Sequence, residues 1–154
     1  MALQVGDIIP NFTAKDNNGG DFDSSSVIGK KPVVIYFYPK DNTPGCTAQA
    51  CSFRDQYEDF KDLGAEVIGI SGDSVDSHKK FIKQYKLPFI LLSDAGNKLR
   101  NLFGVKANLF GLIPGRVTYV ADQNGIIQLI FDSLVAKTHI PKAKATIEKI
   151  VSKK

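Results

Sequence analysis

The chain reads as one α/β domain, with a mixed central sheet, helices on both faces and an N-terminal β-hairpin. Three observations predict this. Residues 33–38 (VVIYFY) and 66–70 (EVIGI) are continuous apolar runs rich in β-branched side chains, the pattern of strands buried on both faces. Each precedes a segment with apolar residues at helical spacing, the βα alternation that builds a parallel sheet. Near the end, residues 117–120 (VTYV) and 126–131 (IIQLIF) flank the turn Asp122-Gln123-Asn124-Gly125, and an amphipathic segment closes the chain.

Taken in order, residues 11–23 form a short hairpin: Phe12 and Ala14 alternate with polar residues, Asp16 to Gly20 is a turn cluster, and Phe22 resumes the pattern. Pro39 ends the first buried strand. A helix follows, with Thr43 as N-cap and Pro44 at its first position, running through Tyr57 and Phe60 to Gly64. After the second strand, Asp73 or Ser74 caps a helix carrying His78, Phe81, Ile82 and Tyr85 on one stripe, which Pro88 stops. His78 reads as a packed or capping residue rather than a ligand. Residues 89–92 (FILL) are strand-like, and Leu99, Leu102 and Phe103 mark a short helix ending at Gly104. Residues 107–115 form a Gly- and Pro-rich loop whose Leu109, Phe110, Leu112 and Ile113 either cover a pocket or meet a partner. Ile140, Ala143, Ile147 and Ile150 form the apolar stripe of a terminal helix, with Pro141 in its first turn.

At 154 residues the chain holds one full hydrophobic core, so a single domain over residues 1–154 is expected. An apolar fraction of 43% with 23% charged residues is ordinary globular composition and excludes a disordered or fibrous chain. The net charge of +4 is scattered; its densest group (Lys137, Lys142, Lys144, Lys149, Lys153, Lys154) reads as a solvated helix face, with no interleaved aromatics to stack nucleic-acid bases. Two cysteines do not make a secreted disulfide framework, and His78 and His139 stand far from both in sequence, so no metal-ligand spacing exists. The N-terminus lacks the basic start and apolar run of a signal peptide, and no stretch reaches the roughly 18 apolar residues of a membrane span. A soluble protein of the cytoplasm is expected, or of the chloroplast stroma if a transit peptide has been removed.

The chemistry gathers in residues 38–54, YPKDNTPGCTAQACSFR, which hold both cysteines. Cys46 falls at the third helical position, facing the unpaired N–H groups and positive end of the helix, which favour thiolate over thiol. Gly45 beside it lets a backbone or small substrate approach. Cys51 follows five residues later; on a regular helix the two Cα atoms lie roughly 8.6 Å apart, beyond the 4.4 to 6.8 Å that a disulfide needs. Any bond between them requires local unwinding, so the pair reads as redox partners with a conformational step. The plainer alternatives are a buried structural thiol for Cys46 and a core residue for Cys51.

These residues resemble the active-site segment of the peroxiredoxins. FYPKDNTPGCTAQACSFRD is similar to it throughout, and a second cysteine five residues on marks the peroxiredoxin Q type, also called bacterioferritin comigratory proteins. EVIGISGDS, YKLPF, LLSD and IPGR resemble that subgroup too, so the likeness covers nearly the whole chain and implies a thioredoxin-like fold with an N-terminal extension. It also implies a thiol peroxidase that reduces hydrogen peroxide and organic hydroperoxides without a cofactor, recycled by thioredoxin or a similar dithiol. In that family's terms Cys46 is the peroxidatic cysteine and Cys51 the resolving one, joined in an intramolecular disulfide. Pro39, Thr43 and Cys46 form the PxxxT/SxxC pattern; Thr43 and the active-site arginine Arg116 are catalytic beside the two cysteines, and Pro39, Pro44 and Gly45 bind the substrate. Many relatives carry Glu where this chain has Gln49; the change removes a negative charge near the thiolate and is expected to matter little for the chemistry. A resolving cysteine within the chain implies a monomer. A thiol-disulfide oxidoreductase would use CxxC spacing, which is absent; a redox sensor or holdase switched by the same disulfide is the alternative function.

Overall fold

Val33–Phe37 (β3) is buried along its whole length, which its unbroken apolar sequence requires, and it forms the centre of the computed structural model. Residues 3–105, 116–132 and 138–152 are described; Leu109, Phe110, Leu112 and Ile113 lie outside them, as do Lys137, Lys153 and Lys154. The sheet has seven strands in the order β2-β1-β5-β4-β3-β6-β7, built from Thr13–Asp16 (β1), Asp21–Asp23 (β2), β3, Glu66–Ser71 (β4), Ile90–Ser93 (β5), Val117–Ala121 (β6) and Ile127–Asp132 (β7). Strands β3, β4 and β5 are parallel, while β6 and β7 are antiparallel on one side and the β1–β2 hairpin on the other. The expected hairpin thus extends the sheet edge.

The period-2 alternation of β3 divides the core. Val34 and Tyr36 face one cluster with Cys46, Ala50, Phe53, Phe60 and Phe81. Ile140, Ala143 and Ile147 of the C-terminal helix His139–Ser152 (α5) join them. Val33, Ile35 and Phe37 face a second cluster with Phe12, Phe22, Leu99 and Phe103. Gly69 on β4 sits opposite Tyr36 because a Cβ there would come within 2.8 Å of the Tyr36 ring. The ring thereby lies flat beneath Phe53, with centroids 4.7 Å apart.

One expected element differs. The helix after β3 stops at Asp55 (α1, Pro44–Asp55), and a separate helix, Tyr57–Asp62 (α2), follows. Gln56 leaves the helical region (φ −106°, ψ 6°), which re-aims the chain so that Phe60 is buried and the Tyr57 hydroxyl donates to Glu66 Oε1 at 2.7 Å. Of the two expected caps, Ser74 serves Val75–Tyr85 (α3), its hydroxyl accepting from Ser77 N at 3.1 Å. Lys98–Phe103 (α4) ends at Gly104 as its sequence predicts. Among the described residues no helix is long and apolar enough to cross a membrane.

Candidate active site

The site begins where β3 gives out. Tyr38 is still buried; Asn42 then takes a left-handed conformation (φ 62°), which asparagine tolerates better than most residues. Thr43 is extended (φ −94°, ψ 154°) and occupies the N-cap, Pro44 and Gly45 fill the next two positions, and Cys46 stands third in α1. The backbone carbonyl of Thr43 accepts from Thr47 N at 2.8 Å. Its side chain does not cap, contrary to expectation: the Thr43 hydroxyl donates backwards to Lys40 O at 3.0 Å, so its proton braces the loop.

Cys46 is 1% exposed, and Arg116, 5% exposed at the start of β6, donates from Nη2 to its Sγ at 3.2 Å. A cation and the N-terminal end of a helix both face this sulfur and stabilise negative charge on it. A Cβ at Gly45 would lie 3.2 Å from Arg116 Nη2, tighter than an ordinary contact, so a side chain there would press on the guanidinium. The close approach foreseen at Gly45 is therefore made first by the arginine. Pro39 is part-buried and Pro44 exposed on either side of the braced loop.

Gln49 stands beside the same guanidinium. It is fully buried one helical turn below Cys46, and its Oε1 accepts from Arg116 Nη1. One neutral amide and one sulfur thus share the two ends of the guanidinium. Among the described residues, Arg116 Nε, Gln49 Nε2 and the Tyr36 hydroxyl are buried without a hydrogen-bond partner. Tyr36 ionisation is pushed well above the ordinary tyrosine value, first by burial and then by the negative charges of Asp41 and Cys46. Cys51 is part-buried, neither it nor Cys46 is in a disulfide, and both lie within one unbroken helix. The geometric obstacle to a direct bond stands while α1 is folded.

Three further polar residues surround the loop, and sequence separation hid them. His78 is packed, as expected, and also bonded at both ring nitrogens: it is 0% exposed, with Nδ1 2.7 Å from Asp41 Oδ2 and Nε2 2.9 Å from Leu92 O. Arg100 donates from Nη2 to Tyr38 O at 2.7 Å and lies over the Phe37 ring. Burial lowers its basicity, and the negative charges of Asp94 and Cys46 oppose that. The signal that could have found both was a polar residue within an apolar stripe, His78 beside Phe81 and Arg100 between Leu99 and Phe103. Asp41, Asp73 and His78 converge closely enough to hold a cation in principle. Asp73 Oδ2, however, already accepts from Asp41 N and Ser71 Oγ at 2.7 Å each, and Asp41 Oδ2 faces both His78 and Ser77 Oγ. The cluster is a completed hydrogen-bond network.

A profile of the AhpC/TSA family matches residues 5–130. The chain belongs to that family. Within it, the chain is 61% identical over 124 residues to the chloroplastic peroxiredoxin Q of Sedum lineare, an alignment covering 80% of this chain and 66% of that one. It spans less than two thirds of the length of the chloroplast relatives it matches, 60% for the Oryza sativa protein. Peroxidoxin BcpB of Mycobacterium tuberculosis superimposes with a TM-score of 0.89 at 35% identity, covering 96% of this chain and 98% of that one. The bacterioferritin comigratory protein of Xanthomonas campestris, studied for alkyl peroxide reduction, has a TM-score of 0.83 at 28% identity, with 91% and 92% covered. The resemblance to peroxiredoxin Q and the thioredoxin-like fold class are both borne out. The relatives' names support the chloroplast alternative; they lend none to the cytoplasm.

Proposed function

We propose that this AhpC/TSA-family chain is a thiol peroxidase acting on hydrogen peroxide and organic hydroperoxides. The observation that carries it is the buried Cys46 sulfur at the third position of α1 with Arg116 Nη2 at 3.2 Å. The Cys46 thiolate attacks the distal oxygen of ROOH: the O–O bond breaks, an S–O bond forms, and RO⁻ leaves and takes a proton to become ROH. Arg116 and the N–H groups of Gly45 and Cys46 hold the charge that passes from sulfur to oxygen. Pro39, Thr43 and Pro44 shape the opening, with Thr43 holding the loop through Lys40 rather than capping the helix. Cys46 is left as a sulfenic acid. Once the first turns of α1 melt, the Cys51 thiol displaces its oxygen as water and forms the Cys46–Cys51 disulfide, which a thioredoxin-type dithiol reduces.

Because both thiols belong to one chain, a monomer suffices for the cycle. The chloroplast relatives favour the stroma over the cytoplasm as its compartment. Consumption of NADPH with thioredoxin, its reductase and either hydrogen peroxide or tert-butyl hydroperoxide tests the reading. Cys46→Ser should abolish turnover, and Cys51→Ser should allow one oxidation per chain but no cycling. A folded protein with no turnover on any hydroperoxide would overturn the peroxidase and leave the redox sensor. Unchanged cycling in Cys51→Ser would remove that residue from the scheme.

A further inference from the structure

We propose that Asp41 and His78 are positioning residues for Cys46: together they fix the loop that sets the start of α1, and so the alignment of the sulfur with Arg116. The inference rests on the peroxidase reading for its rate consequence, but not for its geometry.

The His78 contacts fix where protons must be. Leu92 O can only accept, so Nε2 carries a hydrogen; the opposite nitrogen, Nδ1, lies 2.7 Å from Asp41 Oδ2, and one proton is shared there. Asp41 receives two more donors, the Tyr38 hydroxyl on Oδ1 at 2.5 Å and the Ser77 hydroxyl on Oδ2 at 2.9 Å. Its backbone N–H donates to Asp73 Oδ2 at 2.7 Å, and Asp73 O in turn accepts from Ser93 Oγ at 2.6 Å. Side chain and backbone of this one residue therefore tie the loop to α3 and to the β4–α3 connection, which His78 and Asp73 in turn join to β5. Asp41 is 5% exposed and His78 0%, so none of these bonds is traded readily for water.

The coupling to Cys46 runs through two residues. Lys40, next to Asp41, presents the carbonyl that accepts from the Thr43 hydroxyl, and Thr43 is the N-cap whose own carbonyl begins the ladder of α1. A displacement of Asp41 moves Lys40 O and Thr43 together, and with them the helix start. Arg116, at the start of β6, takes its place from the sheet and not from this loop. The 3.2 Å contact to sulfur is where the two halves meet.

The test uses purified full-length protein in the reduced state, with folding checked by circular dichroism. It reads two quantities: the rate of Cys46 oxidation by one equivalent of hydrogen peroxide, and the pH profile of Cys46 alkylation by iodoacetamide. Asp41→Ala and His78→Leu should slow oxidation roughly 10- to 100-fold, as small misplacements of reacting groups do. Both should move the alkylation profile to higher pH. Asp41→Asn should keep the geometry, because its amide donates to Nδ1 and Ser77 while its oxygen still accepts from Tyr38; its rate should stay within about threefold of the parent, as for substitutions that spare their contacts. Ser77→Ala, which loses a single donor, should fall between and keeps the test open if the larger changes do not fold. Parental rates and profiles in folded Asp41→Ala and His78→Leu overturn the assignment, as does an Asp41→Asn protein as slow as Asp41→Ala. If the parent itself does not reduce peroxide, the peroxidase reading fails, and the alkylation profiles still decide the positioning role.

Discussion

Upstream of Cys46 the chain is held by directional polar contacts; downstream it is held by apolar packing. Tyr38 O is gripped by Arg100, and Asp41 accepts from two hydroxyls and shares a proton with His78 while its N–H binds Asp73. On the other side, Ala50 and Phe53 lie on the sheet, Gln49 spends one of its amide atoms, and Cys51 is part-buried. The two kinds of attachment fail differently. A hydrogen-bond cluster loses several directional bonds at once when one member moves, whereas a packed ring is held by many weak contacts that need no donor–acceptor alignment. On the peroxidase reading, Cys46 must be held to react and released to meet Cys51. The division of labour lets the first turns of α1 open beyond Asn42, while residues 38–41 stay in place and Phe53 remains docked.

Alkaline pH breaks both sides together and should have the largest effect. Tyr36 and Tyr38 are held well above the ordinary tyrosine value, chiefly by burial, and Tyr119 is pushed up to about 12 for the same reason. The unfolded chain ionises its tyrosines near 10, so between pH 10 and about 12 it binds fewer protons than the native protein, and stability falls as pH rises. The stabilisation is complete below the unfolded value and vanishes as pH climbs through the folded ones. Tyrosinate absorbance at 295 nm should lag a simple titration, then rise together with loss of circular dichroism. Smooth ionisation of all five tyrosines near pH 10 in a protein that keeps its native spectrum would contradict it.

Breaking only the apolar side should come next. Phe53 is fully buried, stacked on Tyr36 at 4.7 Å and tilted against Phe60 at 5.9 Å. Phe53→Ala should cost about 3–5 kcal/mol in urea unfolding, the range for deleting a core aromatic ring. Hydrogen exchange of α1 should rise, while the amides of Asp41 and His78 stay protected relative to it. A loss under about 1 kcal/mol would mean that α1 is anchored elsewhere.

The same contrast explains what the sequence disclosed. Apolar attachments were legible because periodicity marks them: β3 from its unbroken run, the buried face of α1 from Ala50 and Phe53, the α5 stripe from Ile140, Ala143 and Ile147. Cys46 and Arg116 came from a local motif and the resemblance. Polar attachments carry no period. Asp41 and His78 are 37 residues apart and meet only because β4 and α3 bring the chain back beside β3. Thr43 shows the opposite error: a cap was rightly placed by residue type, yet its hydroxyl oxygen accepts from no helix N–H, and its proton goes back to Lys40 O. The break at Gln56 was equally silent, since no Gly or Pro marks it.

The smallest predicted effect lies where the two sides meet. Gln49 belongs to the apolar face of α1, but its one hydrogen bond is to the cation that serves Cys46. With a neutral partner, Arg116 keeps its full charge for the sulfur. Gln49→Glu would keep the shape and the acceptor while adding a buried negative charge that competes for the guanidinium, so thiolate at Cys46 becomes less favourable. The hydrogen bond should strengthen as the reactivity weakens, which separates this change from mere loss of packing. Oxidation of Cys46 at pH 6 should slow a few-fold, on the order of the effect expected for a partly compensated charge. The same rate is read at pH 9. Thermal stability should change little, because the new carboxylate is paired. A rate equal to the parent's across that pH range would show that Arg116 is shared without loss, and that the neutrality of Gln49 plays no part in activating the sulfur.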